Sequence, residues 1–273
     1  MSGRDADRPG PHTIDKAIRD LSADGSAPVD RQIIRTAGGR TIAFVDSGGR
    51  GPDVVLIHGT LMVLEDMWLG PADALVQGGC RVVAVDRPGH GGSARNRLID
   101  ASPWRQAEIL HDAMTILGLS RPTIVGHSFG GAVALAYGMQ FPEDVSGVVA
   151  LAPICFPELR LEQMLFGARA TLFAGPVLAE MARMSGDALL LPALWRAMFL
   201  PQPMPSRMET SFPFAFAGRP AQMIAEAEDS LALGPGLLRS VLSYSTCRVP
   251  VESWVATRTP WSPMPSTATG PRP

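Results

Sequence analysis

The stretch Gly126-His127-Ser128-Phe129-Gly130 closes one apolar run, Thr123-Ile124-Val125, and opens another. A serine hydroxyl attacks an acyl carbon only once a base takes its proton, so Ser128 raises two questions: what exposes it, and what activates it. The G-x-S-x-G spacing addresses the first. A nucleophile held in a sharp strand-to-helix turn needs strained backbone angles. Its neighbours two before and two after must be small, so that strand and helix can approach. Gly126 and Gly130 meet that demand. An ordinary Gly-rich turn carries the same letters, but here an apolar strand pattern precedes the motif and a helical pattern follows it as far as Pro142.

A second stretch, Ile57-His58-Gly59-Thr60-Leu61-Met62, ends an earlier apolar run. A loop in that place supplies one backbone N–H to a developing oxyanion, and the residue after the nucleophile supplies the other. The expected donors are the N–H groups of Thr60 and Phe129, with Leu61 as the alternative to Thr60. Taken alone, the stretch also reads as a tight turn that needs Gly59 for its shape.

The elements that must position these residues follow from periodicity. Runs 31–36 and 40–48, separated by Ala37-Gly38-Gly39, read as an antiparallel pair. Short apolar strands then alternate with helices: a strand near 53–58, a helix over 64–78 containing Trp68, and a strand into Asp86. A helix over 102–118 follows, then a strand into Gly126, a helix over 128–141 and a strand near 146–153. Ser102 is the expected N-cap of the 102–118 helix and Pro103 its first residue, with Trp104, Ala107, Leu110, Met114 and Leu117 on one face. This alternation predicts an α/β protein with a doubly wound, mostly parallel sheet.

The expected organisation is a flexible leader over 1–28, with a short helix near 13–21, and a core over 29–153. A helical cap over 154–236 is built of short helices broken by Pro and Gly, its Met and Phe residues used mainly for packing. A return helix and strand over 237–256 and an irregular, proline-rich tail over 257–273 complete the chain.

Composition narrows the function. The chain has 273 residues, a hydrophobic fraction of 46% and a formal net charge of -2, without the basic stripe of a nucleic-acid binder. Its three cysteines, Cys80, Cys155 and Cys247, are far apart and show neither a disulfide framework nor a zinc spacing. The longest apolar stretch, 188–200, is too short to span a bilayer and contains Arg196. The N-terminus has no apolar signal segment. A cytoplasmic protein with no cofactor, no metal, no nucleic-acid or membrane partner and a small apolar substrate or ligand is expected; oligomeric state is not encoded visibly.

His58-Gly59-Thr60 followed by Trp68, the segment DRPGHGGS at 86–93, and GHSFGG at 126–131 together resemble the α/β-hydrolase superfamily. More narrowly they look like its small capped esterase, peroxidase-like and epoxide-hydrolase-like members. The resemblance is strong over 31–153 and extends to the cap only by position. It implies a helical lid over the pocket and a triad in the chain order Ser, acid, His. It also implies attack on an ester or related acyl bond of a small, mostly apolar substrate. Ser128 sets the chain apart from members with an Asp nucleophile, so epoxide or haloalkane hydrolysis through an alkyl-enzyme ester is less expected.

The second question then meets a gap. The five histidines are His12, His58, His90, His111 and His127, and none follows Ser128. His12 is expected to be solvated. His58 resembles the family's structural His-Gly pair, and His111 sits at the edge of a helix's apolar stripe. His127 is expected to turn away from Ser128 as packing, leaving His90 as the nearest stand-in. The acid is absent as well: Thr259 stands near its position, Glu252 lies inside a strand, and Asp187 and Asp229 read as surface charge on the cap. After residue 256 a full fold needs roughly 45 more residues at average element lengths, so the C-terminal strand and helices are expected to be missing. Loss through a frameshift near 253–258 is the corresponding expectation for the gene. Three readings stay open: a serine hydrolase impaired by its missing acid and His, a non-catalytic ligand-binding protein of the same fold, and an inactive fragment.

Overall fold

Short apolar runs assemble into one open, seven-stranded sheet. The computed structural model describes residues 29–157 and 165–255. The expected leader with His12, and the tail from 256 with Thr259, lie outside the described residues. Strands β1 (Gln32–Arg35) and β2 (Thr41–Asp46) form the antiparallel pair, and β2 continues antiparallel to β4 (Arg81–Val85). Strands β3 (Asp53–Ile57), β5 (Thr123–His127), β6 (Gly147–Leu151) and β7 (Val251–Trp254) extend the sheet in parallel, in the order β1-β2-β4-β3-β5-β6-β7. β1 and β7 are the edge strands among the described residues, and β7 is exposed along its length.

Side chains alternate across a strand with period two, so both faces of a parallel sheet must be covered. Val55 and Ile57 of β3 point into one apolar cluster, Val54 and Leu56 into another. The first cluster is closed by α3 (Pro103–Ile116), α4 (Phe129–Gln140) and α9 (Pro220–Ser243) through Trp104, Leu110, Val133, Tyr137, Leu233 and Leu237. The second is closed by Leu64, Met67 and Ala72, from the short helices α1 (Glu65–Trp68) and α2 (Ala72–Gln77) and the turn before them. The sheet is therefore doubly wound, as the alternation predicts.

Two expectations are corrected. The single helix over 64–78 is two helices, because Pro71 follows Gly70 and has no N–H with which to continue the first; Pro71 instead sits at the N-terminal cap of α2. The late part of the cap region is not broken at its prolines and glycines. α9 runs unbroken through Gly234-Pro235-Gly236, past residue 236. An internal proline costs a helix about 3 kcal/mol, and here packing offsets it. A Cβ on Gly236 would stand 2.9 Å from Pro103 Cδ, and Trp104 Nε1 donates to Gly236 O at 3.1 Å and to Ser240 Oγ at 3.0 Å.

Between β6 and α9 lie α5 (Gly175–Ser185), α6 (Asp187–Ala197), α7 (Ser206–Ser211) and α8 (Phe214–Ala217). Their apolar residues, including Leu191, Trp195, Met208 and Phe212, pack with Leu61, Met62 and Val63 of the loop after β3. Leu61 is thus a core residue shared by these helices and the loop at the carboxyl end of β3.

The N-cap of α3 is as expected: Arg105 N–H donates to Ser102 Oγ at 3.2 Å. Ser102→Ala should lower the unfolding free energy by about 1 kcal/mol, read as a lower urea midpoint at unchanged slope. Gly126→Ala should cost more than Ser102→Ala in the same titration, because its Cβ would fall 2.1 Å from Gly130 O.

Candidate active site

β3 and β5 are neighbours, and their register pairs Ile57 with Gly126. The loop after β3 and the turn after β5 therefore leave the sheet at the same level, at the carboxyl ends of the strands. Ser128 sits in that turn with φ 52° and ψ −114°, a conformation an L residue adopts only under constraint. The constraint is visible: Ser128 N–H donates to Leu151 O at 2.9 Å, and Ser128 O accepts from Gly131 N–H at 3.0 Å and Ile154 N–H at 3.1 Å. Gly130 must lack a side chain, since a Cβ there would stand 2.3 Å from Ile57 O and 2.5 Å from His58 O. The half-buried Ser128 is thereby raised at the start of α4.

The loop after β3 faces this turn. A Cβ on Gly59 would lie 3.2 Å from Ser128 Cβ. Leu61 adopts a positive φ of 59°, and both its peptide groups are held by residues far along the chain. Its N–H donates to Glu226 Oε1 at 2.6 Å, and its carbonyl accepts from Trp195 Nε1 at 3.0 Å. Leu61 is thus corrected as an alternative oxyanion donor, because its amide is already engaged by a buried carboxylate. The N–H groups of Thr60 and Phe129 have no acceptor among the described residues.

Behind the loop lies a buried ionic cluster that local sequence does not announce. The Arg87 guanidinium is fully buried. It pairs with Asp229, donates to Gly59 O at 3.3 Å and to Gln106 Oε1 at 3.2 Å, and lies 4.3 Å over the Phe129 ring. Arg95 pairs with Asp229 and with Glu228. Asp229 is therefore not surface charge. Neither is Asp187, which is buried and paired with Arg169 at 2.8 Å. An isolated buried carboxylate is costly, and these two are retained because guanidinium groups face them. Glu226, Arg87 and Asp66 are the residues near the site that reading the sequence missed. The only hint was an acidic triplet, Glu226, Glu228 and Asp229, on an otherwise apolar helix.

The histidines divide accordingly. His58 is buried, with Arg87 N–H donating to its Nε2 at 3.0 Å and its Nδ1 on Gly59 O at 2.9 Å. Burial first, and then the charge of Arg87, hold it well below the usual histidine range. His90 is fully buried, its Nε2 3.1 Å from Glu226 Oε1. Burial and Arg87 push it down to about 3, and both ring nitrogens face partners other than Ser128, so it is no stand-in base. His111 bonds Asp144 at 3.0 Å and stacks on Phe141. His127 places Nδ1 3.0 Å from Asp66 Oδ2. Burial alone would lower the His127 imidazole, but the charge of Asp66 and this hydrogen bond outweigh it and raise it above the usual value. No described imidazole hydrogen-bonds the Ser128 hydroxyl. Among the other acid candidates, Glu252 is exposed on β7. Ligand atoms of His90, Glu226 and Asp229 lie close enough to hold a cation, yet Arg87 and Arg95 already supply the positive charge there.

An open, mostly parallel sheet with a strained serine at the strand-to-helix turn after β5 defines the class. The family model for the alpha/beta hydrolase fold matches residues 52–184, and the seven-stranded sheet with its helices has that fold. It is 36% identical over 107 residues to monoacylglycerol lipase abhd6-A of Xenopus laevis, a match covering 38% of this chain and 31% of that one. It is 35% identical over 113 residues to the human monoacylglycerol lipase ABHD6, covering 41% and 33%. The chain thus spans about a third of the length of these relatives. An esterase from Exiguobacterium antarcticum superposes with a TM-score of 0.63 at 20% identity, covering 81% of this chain and 79% of the esterase. Cfl2 from Burkholderia cenocepacia superposes with a TM-score of 0.65 at 18% identity, covering 82% and 78%. At those identities the likeness is one of fold. No helix among the described residues is long and apolar enough to cross a membrane.

The histidines give a pH prediction. The folded state keeps His90 neutral, while the unfolded chain protonates it near 6.5. Its contribution to stability is intact above that value and is lost progressively as pH falls from 6.5 towards about 3. His90→Gln should therefore show a shallower loss of unfolding free energy over that interval. By NMR, His90 ring signals should stay at their neutral positions through mild acid, while His127 should titrate above the usual histidine midpoint.

Proposed function

We propose that this chain is a serine hydrolase acting on an ester or related acyl bond of a small, mostly apolar substrate, of the capped esterase, peroxidase-like branch. The observation that carries this reading is the strained Ser128 set beside two backbone amides, of Thr60 and Phe129, without acceptors among the described residues. In this reading Ser128 Oγ bonds to the acyl carbon, and the two amides donate to the oxyanion. The alcohol then leaves with a proton, and water releases the acid and regenerates the serine. The names of the relatives, monoacylglycerol lipases and an esterase, agree with the bond type. The helices between β6 and α9 serve as the cap over the site. Cysteine usage, three free thiols with no bridge between described residues, fits the cytoplasm.

Turnover is slow in this reading, because no described imidazole hydrogen-bonds the Ser128 hydroxyl. A second reading is that the fold holds an apolar ligand without cleaving it. It is favoured by the engagement of His58, His90 and His111 with groups other than Ser128.

Release of p-nitrophenol from p-nitrophenyl acetate should be slow, accompanied by an acetyl group on Ser128 in the intact-mass spectrum, and Ser128→Ala should abolish both. Stabilisation of the wild type against heat by an apolar ester recovered uncleaved, with no acyl adduct, would instead establish the ligand-holding reading.

A further inference from the structure

One acid–base pair stands at the serine turn itself. Asp66 lies on α1, just beyond the Thr60 loop, and His127 is the last residue of β5. Asp66 Oδ2 is 3.0 Å from His127 Nδ1 and receives a long hydrogen bond, 3.4 Å, from Gly59 N–H. The point a Gly59 Cβ would occupy is 3.1 Å from His127 Nδ1 and 3.2 Å from Ser128 Cβ. The imidazole and the serine side chain therefore border the same glycine, through Nδ1 on one side and Cβ on the other. Donation of Nδ1–H to Asp66 leaves Nε2 with its lone pair, the tautomer a base for serine requires. His127 Nε2 has no partner among the described residues, and the residue is only partly buried. The other described histidines are committed elsewhere.

We propose that His127, oriented by Asp66, is the general base for Ser128, acting directly or through one water. This rests on Ser128 being the nucleophile. His127 Nε2 takes the Ser128 Oγ proton as the Oγ–C bond forms, and returns it to the alcohol oxygen as the C–O bond breaks. It then takes a proton from the water that attacks the acyl-serine, and gives it back to Ser128 Oγ as the acid leaves. Asp66 is a positioning residue in this scheme, and it is the charge that faces the imidazole. Because Asp66 raises the affinity of His127 for a proton, the base form is gained at higher pH than for an ordinary histidine, and loss of that charge moves the midpoint down.

The test is the rate of p-nitrophenyl acetate hydrolysis from roughly pH 6 to 9 by the full chain, Ser128→Ala, His127→Gln, His127→Ala and Asp66→Asn. Urea unfolding verifies that each is folded. His127→Gln should lose about a hundredfold of the Ser128-dependent rate along with the pH step. Added imidazole should restore part of that rate to His127→Ala. Asp66→Asn should lower the plateau and shift the midpoint to lower pH. If folded His127→Gln keeps the wild-type rate at every pH while Ser128→Ala loses it, His127 is not the base but the nucleophile assignment stands. If Ser128→Ala matches the wild type, the hydrolase reading falls, and His127 with it. A folded wild type that never acylates Ser128 also overturns the base.

Discussion

Much of this site depends on the burial of one guanidinium, that of Arg87. Removing an arginine from water is expensive unless its charge and its donors are matched. Here Asp229 supplies the charge, Gln106 and the Gly59 carbonyl take further N–H groups, and the Phe129 ring covers a face. These partners come from the loop after β3, from α3, from the first residue of α4 and from α9. The charge and the terminal N–H groups are matched only if all four segments are in place together, and the buried Arg87 Nε is left without a partner. Its own backbone N–H also holds His58 through Nε2, so one residue sets the loop on one side of Ser128 and packs against Phe129 on the other.

Helices α6 and α9 take part in the same arrangement. Glu226, three residues before Asp229, accepts from Leu61 N–H, while Trp195 of α6 donates to Leu61 O. A loop residue at positive φ is thereby clamped by two elements more than a hundred residues away in sequence. Engagement of the Leu61 amide leaves the Thr60 N–H without an acceptor among the described residues. The loop beside Ser128 is thus held by α6 and α9 as much as by the sheet.

Local patterns were sufficient wherever one physical requirement dominated. The alternation of apolar runs marked the parallel strands, Ser102-Pro103 marked the start of α3, and Gly126 and Gly130 marked a turn that tolerates no side chain. They were insufficient where two requirements compete. Pro235 reads as a helix break, yet contacts with Pro103 and Trp104 carry α9 through it. Asp187 and Asp229 read as solvated charge, because an acidic residue on an amphipathic helix looks the same whether water or an arginine from elsewhere faces it. His127 reads as packing because nothing near it in sequence identifies Asp66 as its partner.

Residue type and short-range spacing by themselves determined the class of sheet and the place of the strained serine. These are consequences of backbone sterics and side-chain periodicity, which act over a few residues. Only the tertiary structure decided which charges are buried, that Leu61 is engaged while Thr60 is not, and that Asp66 and His127 meet beside Ser128. Each of those outcomes is a pairing between distant segments. Its free energy depends on desolvation and on which partner arrives, and neither is written in the local chain.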